Sequence, residues 1–171
     1  MISILQKLNF PFGRKKKFEI ISPEKLLENS KNVLVLIPEE IELIEDIKFL
    51  IEEFPKHMDR CTFLIEEKIY TNIDSLPECP IIVYTQKQKN LFKMPSKNLI
   101  TLLNIKNFDL IIDCNLSESN FHYWISKNLN AKYKVSLFRK NSTLFNNLVI
   151  KLRNVNNTRE AYEKYLQILN L

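Results

Sequence analysis

Val33-Leu34-Val35-Leu36-Ile37 runs directly into Pro38-Glu39-Glu40 and then into a stripe of Leu43, Ile44, Ile47, Leu50, Ile51 and Phe54. Five apolar residues without alternation fit a strand whose two faces are both covered. The stripe has spacings of three and four, with Glu, Asp and Lys between its members, the pattern of a helix with one buried side. Pro38-Glu39-Glu40 is expected to open that helix, and Pro55 to end it. A doubly covered strand followed by an amphipathic helix is the repeating unit of α/β layer structures.

The unit recurs along the chain. Residues 61–65, 80–84, 108–113, 133–137 and 148–152 read as further strands, the last two joined by a polar turn too short for a full crossover helix. Ser22-Pro23-Glu24 opens a short helix through Asn29, and Ser96 caps one containing Leu99, Ile100, Leu102 and Leu103. Ser117 is expected to start a helix that turns Phe121, Trp124, Ile125 and Leu129 inward. Asn157-Thr158-Arg159-Glu160 resembles a capping box with Asn in the Ser/Thr place, opening a helix with Tyr162, Tyr165, Leu166 and Leu169 on one side. The order predicts a single Rossmann-like α/β domain over residues 32–171, with a mostly parallel five- or six-stranded sheet and helices on both faces. Residues 1–31 form a basic leader and short helix ahead of it. There is no internal repeat and no interdomain linker.

Glycine is nearly absent: Gly13 is the single one in 171 residues. That excludes G-x-G-x-x-G, G-x-x-x-x-G-K-[ST] and G-x-S-x-G, each of which needs glycine where backbone bends sharply or approaches a phosphate. No cofactor is expected. Asparagine, about every ninth residue, is expected to take over left-handed turn positions. Cys61, Cys79 and Cys114 lack C-x-x-C spacing, and Cys61 and Cys114, in or beside strand-like runs, read as small buried hydrophobes; His57 and His122 have no ligand partner near them, so no metal site is expected.

The net charge of +5 is uneven: residues 1–67 hold 10 Lys/Arg against 13 Asp/Glu, and residues 68–171 hold 15 against 7. Abundant Lys and Asn also fit an AT-rich genome, which weakens a nucleic-acid reading from charge alone. Two basic surfaces are nonetheless candidates. One is Arg14, Lys15, Lys16 and Lys17 beside Ile4, Leu5 and Leu8, suited to weak peripheral contact with a membrane or to packing on the domain. The other is Lys87, Lys89 and Lys93 with Tyr84 and Phe92 among them, suited to single-stranded nucleic acid or simply to a solvated loop. The longest apolar runs are far short of the roughly 20 residues of a membrane span, and the N-terminus has neither an early cation nor a small-residue cleavage site. A cytoplasmic location, free or at the inner face of the membrane, is the expectation.

In a parallel sheet, ligands bind beyond the carboxyl ends of strands where strand order reverses. If strands 33–37 and 108–113 are the central pair, that crevice is lined by Glu39, Glu40, Asp113, Asn115 and Ser117. Carboxylates there serve as general bases, metal ligands or acceptors for sugar hydroxyls, or they merely stabilise helix N-termini. No cation stands within the first turn of either helix, so a neutral hydroxyl-rich ligand is expected in preference to a nucleotide. His122 reads as a residue held in place rather than a catalyst, since no Ser or Cys nucleophile pairs with it.

Asn32 to Ile37, Phe108-Asp109-Leu110-Ile111-Ile112-Asp113 and Ala131-Lys132-Tyr133-Lys134-Val135-Ser136-Leu137-Phe138, in that order, resemble the N-terminal half of the lipopolysaccharide heptosyltransferases, glycosyltransferase family nine. The likeness covers roughly residues 32–150. The family has a GT-B architecture of two Rossmann-like domains. This chain departs from it in having Ile37-Pro38-Glu39-Glu40 in place of a glycine-aspartate turn, and Ser136 in place of a strand glycine. The resemblance implies a half-domain without the C-terminal donor domain, non-catalytic alone, acting as a binding or accessory module of cell-envelope glycan metabolism. Any heptosyltransferase-like activity would need a second polypeptide. The partners implied are a sugar and either another protein or a second copy; a basic nucleic-acid-binding protein is the alternative.

Overall fold

The fully apolar runs do become strands, and those at the centre of the sheet are buried on two sides at once, whereas the edge run at 81–84 leaves Val83 exposed. The computed structural model describes residues 23–57 and 60–171. Strand β1 (Val33–Leu36) is flanked by β2 (Cys61–Glu66) and β4 (Leu110–Asp113). Beyond them lie β3 (Ile81–Tyr84), β5 (Tyr133–Leu137) and β6 (Leu148–Ile150). The order is β3-β2-β1-β4-β5-β6 and every pairing is parallel. Leu36 stands opposite Asp113 in β4, so the expected central pair is in register at its carboxyl end.

The alternation of side chains in β1 divides the core. Val33, Val35 and Ile37 join Ile47, Leu50, Ile51 and Phe54 of α2 (Ile44–His57), and Tyr162, Tyr165, Leu166 and Leu169 of α7 (Thr158–Leu169). Leu26 of α1 (Pro23–Glu28) belongs to the same cluster. Leu34 and Leu36 face the other way, onto Leu99 and Leu103 of α4 (Lys97–Ile105) and Phe121, Ile125 and Leu129. Those last three belong to α5 (Asn120–Asn128) and the residue that ends it.

Several local expectations change. Residues 38–40 stay extended into a 3-10 turn at Ile41–Leu43, and α2 begins only at Ile44. Pro55 lies inside α2 rather than ending it; in a last turn its missing N–H removes only one helical bond. Helix α5 is capped by Ser119, not Ser117: the Ser119 hydroxyl accepts the His122 N–H at 3.4 Å. Trp124 is only half-buried. The connection after β2 holds one helical turn, α3 (Glu67–Tyr70). Strand β6 ends at Ile150, and the short link from β5 still achieves a parallel pairing through the single turn α6 (Ser142–Phe145).

Other expectations hold. Ser96 caps α4, and Asn157 caps α7 by accepting the Glu160 N–H at 2.9 Å. The Glu160 carboxylate reaches back to the Asn156 N–H, one residue earlier than in a capping box. Among the described residues the left-handed positions are Lys93, Asn107, Asn154 and Asn170, three of them asparagines. Ser22, Arg14, Lys15, Lys16 and Lys17 lie outside the described residues.

Candidate functional site

The carboxyl ends of the strands deliver a charged residue almost every time: Glu39 and Glu40 after β1, Glu66 ending β2, Asp113 ending β4, Arg139 just after β5. Because α2 starts late, Glu39 and Glu40 do not cap it, and Glu40 caps the 3-10 turn without a side-chain bond. Their carboxylates extend to opposite walls of the crevice.

Toward the β3 side, Glu39 accepts the Tyr84 hydroxyl at 2.7 Å and the Lys89 ammonium at 3.0 Å. Lys89 also donates to Glu66 at 3.1 Å, and Gln86 bonds the same Glu66 oxygen. A 3-10 turn at Gln86–Gln88, closed by the Gln88 side chain accepting the Thr85 N–H, carries Lys89 back over the sheet. There it lies 5.3 Å from the Tyr84 ring centre and 5.2 Å from that of Phe121. Its side chain is only 7% exposed, so Lys89 leaves the expected basic surface, whereas Lys87 and Lys93 stay on it. Burial pushes the Glu39 carboxyl up, but His122, Tyr84 and Lys89 together hold it below the usual range. Burial and the facing Glu39 push the Tyr84 hydroxyl well up, so it remains a donor.

Toward the β5 side, Asp113 accepts from the Asn115 N–H at 3.0 Å and the Asn115 amide at 2.6 Å, and its second oxygen meets Arg139. Arg139 donates to the Ser117 carbonyl at 3.1 Å and lies over the Tyr123 ring. Burial opposes the guanidinium charge, yet Asp113 raises the group above its ordinary value. The Ser117 hydroxyl meets Glu40, bridging the segments that follow β1 and β4 at the switch point. The five expected residues stand together at the carboxyl ends of β1 and β4, with Asp113 and Asn115 buried. Glu40 joins Ser117, Asp113 joins Asn115, and Glu39 turns to the opposite wall.

His122 is fully buried, with Nδ1 2.8 Å from the Ser119 hydroxyl and its ring edge-on to Phe121. Burial lowers its basicity against the opposing pull of Asp113 and Glu39. Glu40 Oε2, Asn115 Oδ1, His122 Nε2 and Arg139 Nε are buried without a hydrogen-bond partner among the described residues. Sequence reasoning did not place Glu66, Tyr84, Lys89 or Arg139 here. The signal that marked Asp113, a charge ending an apolar strand, also marks Glu66. Lys89 and Arg139 carried no such local mark.

Four carboxylates thus face two cations, both of them already paired. Among the described residues no helix is long and apolar enough to cross a membrane. No family model matches the chain, and no curated protein does. It is similar to the crystal structure of the glycosyl transferase family 9 from Veillonella parvula DSM 2008, with a TM-score of 0.63 and 17% sequence identity. The likeness covers 86% of this chain and 43% of that one, so this chain spans less than half that length. The chain has the α/β fold found in part of a glycosyltransferase family 9 structure.

Proposed function

We propose that this chain is a glycosyltransferase-like half-domain that binds a neutral sugar in the crevice of Glu39, Glu40, Asp113, Asn115 and Ser117, without catalysing transfer alone. Its setting is cell-envelope glycan metabolism in the cytoplasm at the inner membrane face, with a partner polypeptide supplying the donor side. The observation that carries the reading is the unbalanced carboxylate charge. Lys89 and Arg139 are committed to carboxylates, so a phosphate finds repulsion where a hydroxyl finds acceptors. Buried polar atoms without partners supply further hydrogen-bonding capacity.

Weak basicity supports the binding role. A general base works best with a pKa near the operating pH, whereas Glu39 is held below the ordinary carboxylate range. The nucleic-acid alternative loses its best elements, since Tyr84 is buried and Lys89 is ion-paired. Amide chemical-shift mapping of the full chain tests the proposal. Neutral hexose and heptose oligosaccharides should move residues 38–41 and 113–119, while nucleotides leave them unmoved. Shifts elsewhere, or shifts caused by nucleotides alone, overturn it.

A further inference from the structure

Away from the crevice, at the opposite end of the sheet, the fold brings together two cysteines that are 18 residues apart in sequence. Cys61 is the first residue of β2, and Cys79 lies two residues ahead of β3. The pairing of Phe63 with Ile81, carried back two residues, sets Cys61 opposite Cys79. The Phe63 N–H bond to the Pro80 carbonyl at 3.0 Å extends the ladder toward them. Neighbouring strands lie about 4.8 Å apart, inside the roughly 4.4–6.8 Å that separates the α-carbons of bridged cysteines. The two sulfurs are 3.2 Å apart and both are thiols. Cys61 is buried, while Cys79 is partly open to solvent.

We propose that Cys61 and Cys79 form a reversible dithiol–disulfide pair that staples edge strand β3 to the sheet. The oxidant class is a peroxide. With hydrogen peroxide, the Cys79 thiolate attacks one peroxide oxygen, the O–O bond breaks, and a sulfenic acid and one water result after proton transfer. The Cys61 sulfur then attacks the Cys79 sulfur, forming the S–S bond and releasing the hydroxyl as a second water. Two thiols are oxidised by two electrons and one peroxide is reduced to two waters. A small dithiol reverses the step by exchange.

The position gives the bond a consequence. Strand β3 is bonded on one side only, and it leads directly into Tyr84 and the turn that delivers Lys89. A staple at its start fixes the outer wall of the crevice from below. Cys114 ends up elsewhere, after β4, where burial pushes its thiol well up, so it serves as an internal control.

The test uses the native full chain and hydrogen peroxide. Titratable thiols in denaturant should fall from three to one, with a mass loss of two hydrogens and a non-reduced peptide linking 61 to 79. Cys114→Ser should fall from two titratable thiols to none with the same mass loss and link, and Cys79→Ser should lose no hydrogens. The melting midpoint of the oxidised protein should rise by roughly 5–10 °C, and dithiothreitol should reverse the rise. Three surviving thiols, a link to Cys114, over-oxidation without a link, or an unchanged midpoint would overturn the proposal. The wild-type linkage map decides the matter even if a variant fails to fold.

Discussion

The two charged walls at the strand carboxyl ends solve one problem, a buried cation beside carboxylates, in different ways. On the β5 side Arg139 meets a single carboxylate, Asp113, and its planar fork also reaches the Ser117 carbonyl. The Arg139–Asp113 pair is almost wholly buried, and Glu40 on the same side meets the Ser117 hydroxyl rather than a cation. On the β3 side Lys89 is a point charge shared between Glu39 and Glu66, with two aromatic rings beside it. That wall retains negative charge, and Glu39 remains a quarter exposed. The arginine pair is thus shut away from solvent, whereas the lysine cluster keeps one carboxylate within reach of water.

Breaking the arginine wall should have the largest effect. Arg139→Met leaves Asp113 buried with its charge uncompensated, and urea denaturation should report a loss of about 3–5 kcal/mol. Lys89→Met should cost less, about 2–3 kcal/mol, because Glu39 can turn to water even though Glu66 cannot. An equal or greater loss for the lysine variant would invert the comparison.

Acid sharpens it further. The Glu39 carboxyl is depressed in the folded state, so its contribution is present above the unfolded carboxylate value and is lost as pH falls through the folded value. Glu39→Gln should therefore show a shallower acid limb than wild type in melting midpoint measured from pH 6 downward. A parallel limb would remove Glu39 from the ion-pair account. The smallest effect belongs to the rim. Ser117 is exposed, so Ser117→Ala should cost about 0.5 kcal/mol while weakening any sugar-induced shift at Glu40.

The walls also differ in how far their residues could be read from sequence. Strands 33–37 and 108–113 were legible because burial on both faces demands an unbroken apolar run, and their ends fixed Asp113 at the switch point. Glu39 and Glu40 were legible as residues following the first strand, but a helix-cap reading competed, since nothing local announces that a 3-10 turn delays α2 to Ile44. Ser117 looked like a cap because Ser117 and Ser119 both precede the inward stripe, and only the start of α5 at Asn120 separates them. Lys89 meets a partner fifty residues away and Arg139 one twenty-six residues away. Such pairings depend on strand order, which one sequence does not display. The loop chemistry of Thr85 and Gln88 is what turns Lys89 inward, and a run of Gln and Lys reads equally well as a solvated segment.

The asparagines at left-handed positions have a consequence for the chain before it folds. A glycine at 107, 154 or 170 would enlarge the backbone freedom of the denatured ensemble, which folding must then remove. Asparagine shifts that burden: the unfolded chain is less permissive, and the folded turn carries a modest steric cost instead. With Gly13 the single glycine of the sequence, three of the four left-handed positions among the described residues are built on this exchange. Native stability is thus set in part by how little the denatured state can wander.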